Sequence, residues 1–353
     1  MAEKNKPIRD LKHTGFSDSL EPLESLDLSK IKSVDDLVRA MSKTAFAGRS
    51  LGEAADILEA MVRDKDCFVV LTLSGAMTVA KMGLLICDMI DKGMVNAVVS
   101  TGALMTHGMV EGFGMTHFKH NPSMPDEKLF SCGYNRVYDT IELEKNLDDL
   151  ELILFEIFKK MDLEKSYGSY EILSEVGNYL KETVGNKRAI LKSAYEKKVP
   201  VFIPAFTDSE FYLDLAIFNR KQKLINKPIL RTSEYDDLEH FAETIKKQKR
   251  IGIFTIGGGV PRNWAQQVAP YLDIVDKRVG QGGGHIRYSY GVRICPEPVH
   301  WGGLSGCTYS EGVSWGKMVP PEEGGRYAEV IADATIAWPI ILKAVMERLD
   351  KKK

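Results

Sequence analysis

A chain of 353 residues that is 44% hydrophobic and 27% charged is large and apolar enough to fold around its own core without disulfide staples. A formal charge of −2 and a pI near 6.4 exclude the basic footprint of a nucleic-acid-binding protein. No run of 18 or more apolar residues occurs, and residues 1–10 are charged and lack an apolar core, so neither a membrane span nor a signal peptide is expected.

Residues 1–35 are polar and irregular, and read as an arm that packs on something else, such as another subunit. Residues 36–63 carry helical spacing through Leu37, Val38, Met41, Leu51, Ala55, Leu58 and Val62. Residues 67–73 are a buried strand by composition, followed by the small residues Ser74-Gly75-Ala76 and an apolar helix over 77–92. A second strand over 97–100 runs into Thr101-Gly102-Ala103 and another helical stretch. Strand, small-residue turn, helix, strand is the βαβ pattern of a parallel sheet.

Residues 145–197 read as mostly helix, with an apolar face of Leu152, Leu154, Ile157, Phe158 and Met161. Strands return over 201–206, 251–256 and 329–332, and a helix over 335–349 closes the chain. Pro339 falls either in the first turn of that helix or at a kink. The basic run Lys351, Lys352, Lys353 reads as a solvated tail. Residues 36–353 are therefore expected to form one α/β domain, in which the strand order is not legible.

The five cysteines, Cys67, Cys87, Cys132, Cys295 and Cys307, are odd in number and contain no CxxC pair. This argues against a disulfide framework and a zinc knuckle, fits a reducing cytoplasm, and leaves no metal site expected.

Small residues end four strands: Ser74-Gly75-Ala76, Thr101-Gly102-Ala103, Thr207-Asp208-Ser209 and Gly257-Gly258-Gly259. Ligands bind beyond the carboxyl ends of parallel strands, where glycine lets backbone approach a phosphate and helix N-termini offer free N–H groups. One such turn can equally be a tight turn and nothing more; four in one sheet tilt toward a nucleotide, held without a GxGxxG loop. Lys317, two residues after Trp315 among small residues, is either a surface lysine or a pocket lysine whose neutral amine attacks carbon. Trp315 can stack on a cationic amine and Glu311 can pair with its ammonium. Asp208 and Asp214 suit a polyamine, although Asp208 alone can also be a helix cap.

From about residue 65 onward the chain resembles the deoxyhypusine synthases. Val313-Ser314-Trp315-Gly316-Lys317 matches the nucleophile motif of that family, and Thr101-Gly102-Ala103, Thr207-Asp208, Gly257-Gly258-Gly259-Val260 and Asp333-Ala334 match in the same order. The resemblance implies a Rossmann-like parallel sheet flanked by helices, usually in a homotetramer with active sites between paired subunits. It implies NAD on Ser74, Thr101, Gly102, Ala103, Asp208, Gly257, Gly258, Asp333 and Ala334. It implies spermidine or a related polyamine near Asp214, Asn263, Ser305, Glu311 and Trp315, with Lys317 as the covalent nucleophile. The acceptor amine is a translation-factor lysine in the family proper, or a small diamine such as putrescine in a homospermidine-forming enzyme.

Three departures stand out. Where eukaryotic members place a histidine that contacts the amine, this chain reads Pro261-Arg262-Asn263-Trp264. An acidic stretch is replaced by His300-Trp301-Gly302-Gly303-Leu304, and residues 280–298 have no clear counterpart. These features are similar to the bacterial deoxyhypusine synthase-like branch. A silent NAD-binding protein would have no use for Lys317, Trp315 and Glu311 together. A sirtuin-like deacylase would want a catalytic histidine and often a zinc ribbon, which the cysteine spacing denies.

Overall fold

The computed structural model describes residue 9 and residues 11–281, 284–303, 305 and 307–351. Most of the first ten residues, Gly282-Gly283, Leu304, Gly306, and Lys352 and Lys353 of the basic tail lie outside the described residues.

Six strands form the central sheet: β1 (Cys67–Leu73), β2 (Ala97–Ser100), β3 (Val201–Phe202), β4 (Arg250–Ile256), β5 (Tyr288–Ile294) and β6 (Arg326–Val330). Their spatial order is β3-β2-β1-β4-β5-β6, with every pairing parallel. That is the strand order of dinucleotide-binding sheets, with its topological switch between β1 and β4.

Both faces are covered, so consecutive residues of a strand serve opposite cores. Val69, Leu71 and Leu73 join Phe254 and Ile256 beneath the helices Phe46–Arg63, Gly83–Asp91 and Ala334–Asp350. Val70, Ile251 and Ile253 face the other way, toward the helices Glu234–Lys246 and Gly259–Val279.

Several elements differ from the sequence reading. The helical stretch at 36–63 is two helices, Val34–Ser42 and Phe46–Arg63. The helix expected over 77–92 is only Gly83–Asp91, because Lys81 turns into the left-handed region at φ 63°. Leu152 is exposed while Leu150, Leu154 and Phe158 are buried; two residues along a helix turn roughly 200°, so Leu152 and Leu154 cannot share a face. Strand β3 stops at Phe202, short of Pro204, which has no N–H for a ladder.

Strand β6 begins three residues earlier than expected and ends at Val330. Pro339 is the sixth residue of the closing helix, beyond its first turn. Residues 280–298 contain β5, which the sequence reading lacked altogether. Outside the main sheet, Phe118–Lys119, Tyr134–Val137 and Thr140–Leu143 form a small antiparallel sheet.

The described part of the N-terminal arm leaves Leu11, Phe16, Leu20, Leu23 and Leu28 exposed. The two ends of the folded unit are tied together by charge. Arg348, 2% exposed, donates from Nε to Asp35 Oδ1 at 2.5 Å and from Nη1 to Asp56 at 2.7 Å. Lys351, expected as solvated tail, instead reaches Asp35 Oδ2 at 3.0 Å.

Burial alone would raise the pKa of Asp35, but its bonds to Arg348, Lys351 and Arg39 more than reverse this and hold it below the ordinary aspartate value. A depressed carboxylate stabilises the fold above its unfolded pKa of about 3.9, and that stability is lost as pH falls through the lower folded value. Removing one partner of a buried pair costs about 3–5 kcal/mol. Urea titrations should therefore show Asp35→Ala destabilised by about that amount at pH 7, with a smaller loss of stability than wild type between pH 5 and 3.

Candidate active site

At the carboxyl edge of the sheet the four small-residue turns touch one another in sequence across the strands. Ser74, just after β1, donates from Oγ to the Ile256 carbonyl at 3.2 Å and accepts from Gly258 N at 3.2 Å. Gly257 has φ 80°, and a Cβ there would lie 2.0 Å from Ser74 Oγ. After β2, Thr101 donates to the Gly75 carbonyl at 2.6 Å and accepts from Leu104 N at 3.3 Å, capping the helix Gly102–Gly112.

A Cβ on Gly102 would lie 2.1 Å from the Cβ of Ser209. Ser209, rather than Asp208, caps the helix Glu210–Leu224, so Asp208 is not consumed as a cap. A Cβ on Gly258 would meet the Ser305 carbonyl at 2.7 Å. The result is a ledge in which glycine backbone packs against Ser74, Ser209 and Ser305, with Ala103 in the first turn behind it and three helices beginning at its turns, at Gly102, Glu210 and Gly259. That ledge suits the phosphates of a dinucleotide.

Asp333 stands apart, after the edge strand β6. It is exposed and caps the closing helix by accepting from Thr335 N at 2.8 Å and from the Thr335 hydroxyl, ahead of the buried Ala334.

Lys317 is placed by a helix ending. The short helix Tyr309–Ser314 closes with Gly316 N bonded to Val313 O at 3.0 Å and Lys317 N bonded to Gly312 O at 2.9 Å, with Gly316 at φ 67°. This is a Schellman cap with glycine at the left-handed position. The motif Val313-Ser314-Trp315-Gly316-Lys317 is therefore a stop signal that delivers the lysine to a fixed spot. The lysine backbone is held further by Tyr288 N donating to the Lys317 carbonyl at 2.9 Å, beside the fully buried Tyr288 and Met318.

The side chain enters a cleft of about 560 Å³ lined by Asn263, Gln266, Glu311, Trp315 and the stem of Arg262, among others. Lys317 Nζ donates to Asn263 Oδ1 at 3.1 Å and lies 5.7 Å from the Trp315 ring centre. Burial in the cleft, followed by the positive charge of Arg262, holds its pKa below the ordinary lysine value. Trp315 itself is 66% exposed, so desolvation comes from the cleft as a whole and the ring face stays open to a ligand. The Glu311 carboxylate is met by the Cys307 thiol at 3.7 Å, and not by Lys317.

Two expected residues lie elsewhere. Ser305 sits behind the cleft, its carbonyl accepting from Arg293 at 2.8 Å. Asp214 lies on the Glu210–Leu224 helix, whose Phe211 and Leu215 pack in one core, whereas Tyr309 and Met318, which flank Lys317, pack in the core on the other face of the sheet. Asp214 lies among Glu151, Glu210 and Asp148; burial first, and then those like charges, push it up to about 7.

The sequence reading missed the supports. Arg293 bonds the carbonyls of Ser305 and Cys307 and pairs with Glu329 at 3.0 Å, fixing the loop that carries the cleft wall. Arg262, 5% exposed, lies under the Tyr309 ring at 5.0 Å. A charge between Val292 and Ile294 was the available signal, but it also hid the strand.

Comparison with known proteins identifies the family. The deoxyhypusine synthase family model matches residues 36–345. "Probable deoxyhypusine synthase 2" of Methanosarcina acetivorans is 33% identical over 95% of this chain and 92% of its own length. The "Deoxyhypusine synthase-like protein" of Chlorobaculum parvum is 33% identical over 94% and 91%. A solved chain from Entamoeba histolytica, named as a deoxyhypusine synthase, is 16% identical and superposes with a TM-score of 0.59 over 92% of this chain and 97% of its own, a likeness of fold.

Gly316→Ala places a Cβ in the left-handed region, which costs about 1–2 kcal/mol, although the Cβ would meet only Asp273 Oδ2, in ordinary contact at 3.7 Å. Denaturant titration should show that loss. Gly316→Asn should recover most of it, since asparagine tolerates this conformation. Equal losses for the two variants would argue against the backbone explanation.

Proposed function

Because this chain belongs to the deoxyhypusine synthase family, whose members are NAD-dependent aminobutyl transferases, we propose that it passes the 4-aminobutyl group of spermidine through an imine on Lys317 to an acceptor amine. The observation that carries the proposal is Lys317 itself: a lysine with lowered pKa, its backbone pinned beside the first residue of β5, in a cleft with Asn263, Glu311 and Trp315. The glycine ledge fits the cofactor, and Ser74, Thr101, Gly102, Ala103, Asp208, Gly257 and Gly258 are the residues assigned to hold it, with Asp333 and Ala334 toward a ribose. When bound there, NAD would supply the redox chemistry: removal of a hydride from the carbon beside the donor's secondary amine and its restoration at the end.

Lys317 does the carbon–nitrogen chemistry. Its neutral amine adds to the oxidised C=N carbon of the donor, a proton moves to the departing nitrogen, and diaminopropane leaves. The aminobutyl chain is then joined to Nζ as an imine. The acceptor amine adds to the same carbon and Lys317 departs as the amine. Asn263 Oδ1, which accepts from Nζ at 3.1 Å, orients the attacking amine without supplying a negative charge that would protonate it. Glu311 and the open face of Trp315 receive the distal ammonium of the donor.

The acceptor is a protein lysine, as in a translation factor, or a small diamine. The replacement of the family histidine by Asn263 favours the diamine reading, with putrescine giving homospermidine. Asp214, on a helix that packs in the other core from the residues flanking Lys317, and the exposed apolar residues of the arm support a homotetramer with sites shared between subunits. Five free thiols suit a cytoplasmic protein. No helix among the described residues is long and apolar enough to cross a membrane.

Lys317→Arg has no accessible neutral form and should lose transfer while keeping NAD binding. Borohydride added to wild type with NAD and labelled spermidine should leave a butylamine adduct on the Lys317 peptide. Full transfer by Lys317→Ala would overturn the mechanism, and product masses with spermidine and putrescine decide the acceptor. Asp333→Ala should weaken NAD binding and also cost about 1 kcal/mol as a lost cap. Asp333→Asn should keep the cap, so calorimetry on the pair separates the two roles. Sedimentation should give a mass well above the 39.5 kDa of one chain; a monomer at micromolar concentration would leave the shared site without support.

A further inference from the structure

Away from the cleft, His107, His117 and Glu142 converge from three separate elements. His107 lies on the helix Gly102–Gly112, His117 immediately precedes the strand Phe118–Lys119, and Glu142 lies on the strand Thr140–Leu143. All three are buried, at 8%, 6% and 1% exposure. One donor atom from each lies within 4.8 Å of the other two. From this we propose that His107 Nδ1, His117 Nε2 and Glu142 Oε2 form a binding site for a first-row divalent cation of the zinc type.

The geometry around Glu142 Oε2 supports this. His107 Nδ1 is 3.1 Å from that oxygen and His117 Nε2 is 2.6 Å from it. Despite that closeness His117 Nε2 is not aligned for a hydrogen bond to it, and it has no other partner in the buried cluster. Two imidazole nitrogens converging on one buried carboxylate oxygen bring three metal-type donors into one small volume.

The far sides of the ligands carry the outer contacts of metal sites. The other Glu142 oxygen accepts from Asn146 Nδ2 at 2.6 Å and from Leu143 N at 3.0 Å. His117 Nδ1 lies 3.6 Å from Glu111, and a cation on Nε2 would require the ring proton to sit on Nδ1, turned toward that carboxylate. Lys81 pairs with Glu111 and lies 3.2 Å from His117 Nδ1. Two carboxylates against one ammonium leave a net negative charge for a dication.

Two imidazoles and one carboxylate are a zinc-type ligand set that leaves a fourth position for water. The cation would staple the small antiparallel sheet to the Gly102–Gly112 helix, whose first turn belongs to the glycine ledge. The proposal does not depend on the reaction assigned to Lys317.

The test uses the full-length protein stripped with a chelator, desalted, and exposed separately to zinc and cobalt(II). Mass spectrometry of the metal content should find one zinc per chain after gel filtration. Zinc should raise Tm, since a ligand that binds only the folded state stabilises it. Cobalt should give the visible absorption of a low-symmetry nitrogen–oxygen site. Glu142→Gln and His117→Gln, which keep side-chain volume, should lose the ion and the Tm rise while retaining far-ultraviolet circular dichroism. Wild type that takes up no zinc and shows no Tm change would overturn the proposal and leave a histidine–carboxylate hydrogen-bond cluster. So would a bound ion that both variants retain, which would place it elsewhere. If the variants do not fold, the stoichiometry and cobalt spectrum of wild type alone decide the matter.

Discussion

At the switch point of the sheet the chain passes so close to itself that no side chain fits. Gly257 stands against Ser74, Gly258 against Ser305, and Gly102 against Ser209. Each contact joins segments far apart in sequence, and together they pack glycine backbone tightly along the carboxyl edge. Only parallel strands can line up their turns in this way, because each crossover returns the chain to the same edge before the next strand begins. The cradle is therefore a consequence of that one constraint.

The second requirement is chemical. A lysine that attacks carbon must be neutral where lysines are ordinarily charged. The fold meets it by position: a Schellman cap sets the backbone of Lys317, β5 anchors it, and the cleft withdraws water while Arg262 adds like charge. Asn263 accepts from the amine without the negative charge that would restore its proton. The buried arginines thus serve the site although neither is placed to react. Arg293 fixes the loop by its carbonyls, and Arg262 shapes the field around the amine.

The charge cluster at Arg348 works at the opposite end of the chain. It locks the first helix to the last, while the apolar residues of the arm beyond it stay uncovered. The folded unit is closed by its own ion pairs, and the apolar side chains of the arm stay exposed.

Much of this was legible in the residues themselves. Buried strands such as 67–73 announce themselves by composition, glycine at a strand end signals close backbone approach, and a lysine after Trp-Gly is rare enough to mark chemistry. These are local properties, and local physics decides them. Strand β5 was invisible because Tyr288, Gly291 and Arg293 break any simple apolar run. Its glycine exists to admit the Tyr309 ring, and its arginine exists to hold a loop. Strand order, the separation of Asp214 from Lys317, and the meeting of His107, His117 and Glu142 are set by pairings between distant segments. No spacing rule reaches across such distances, so the sequence named the candidate groups and the tertiary structure alone decided which of them stand together.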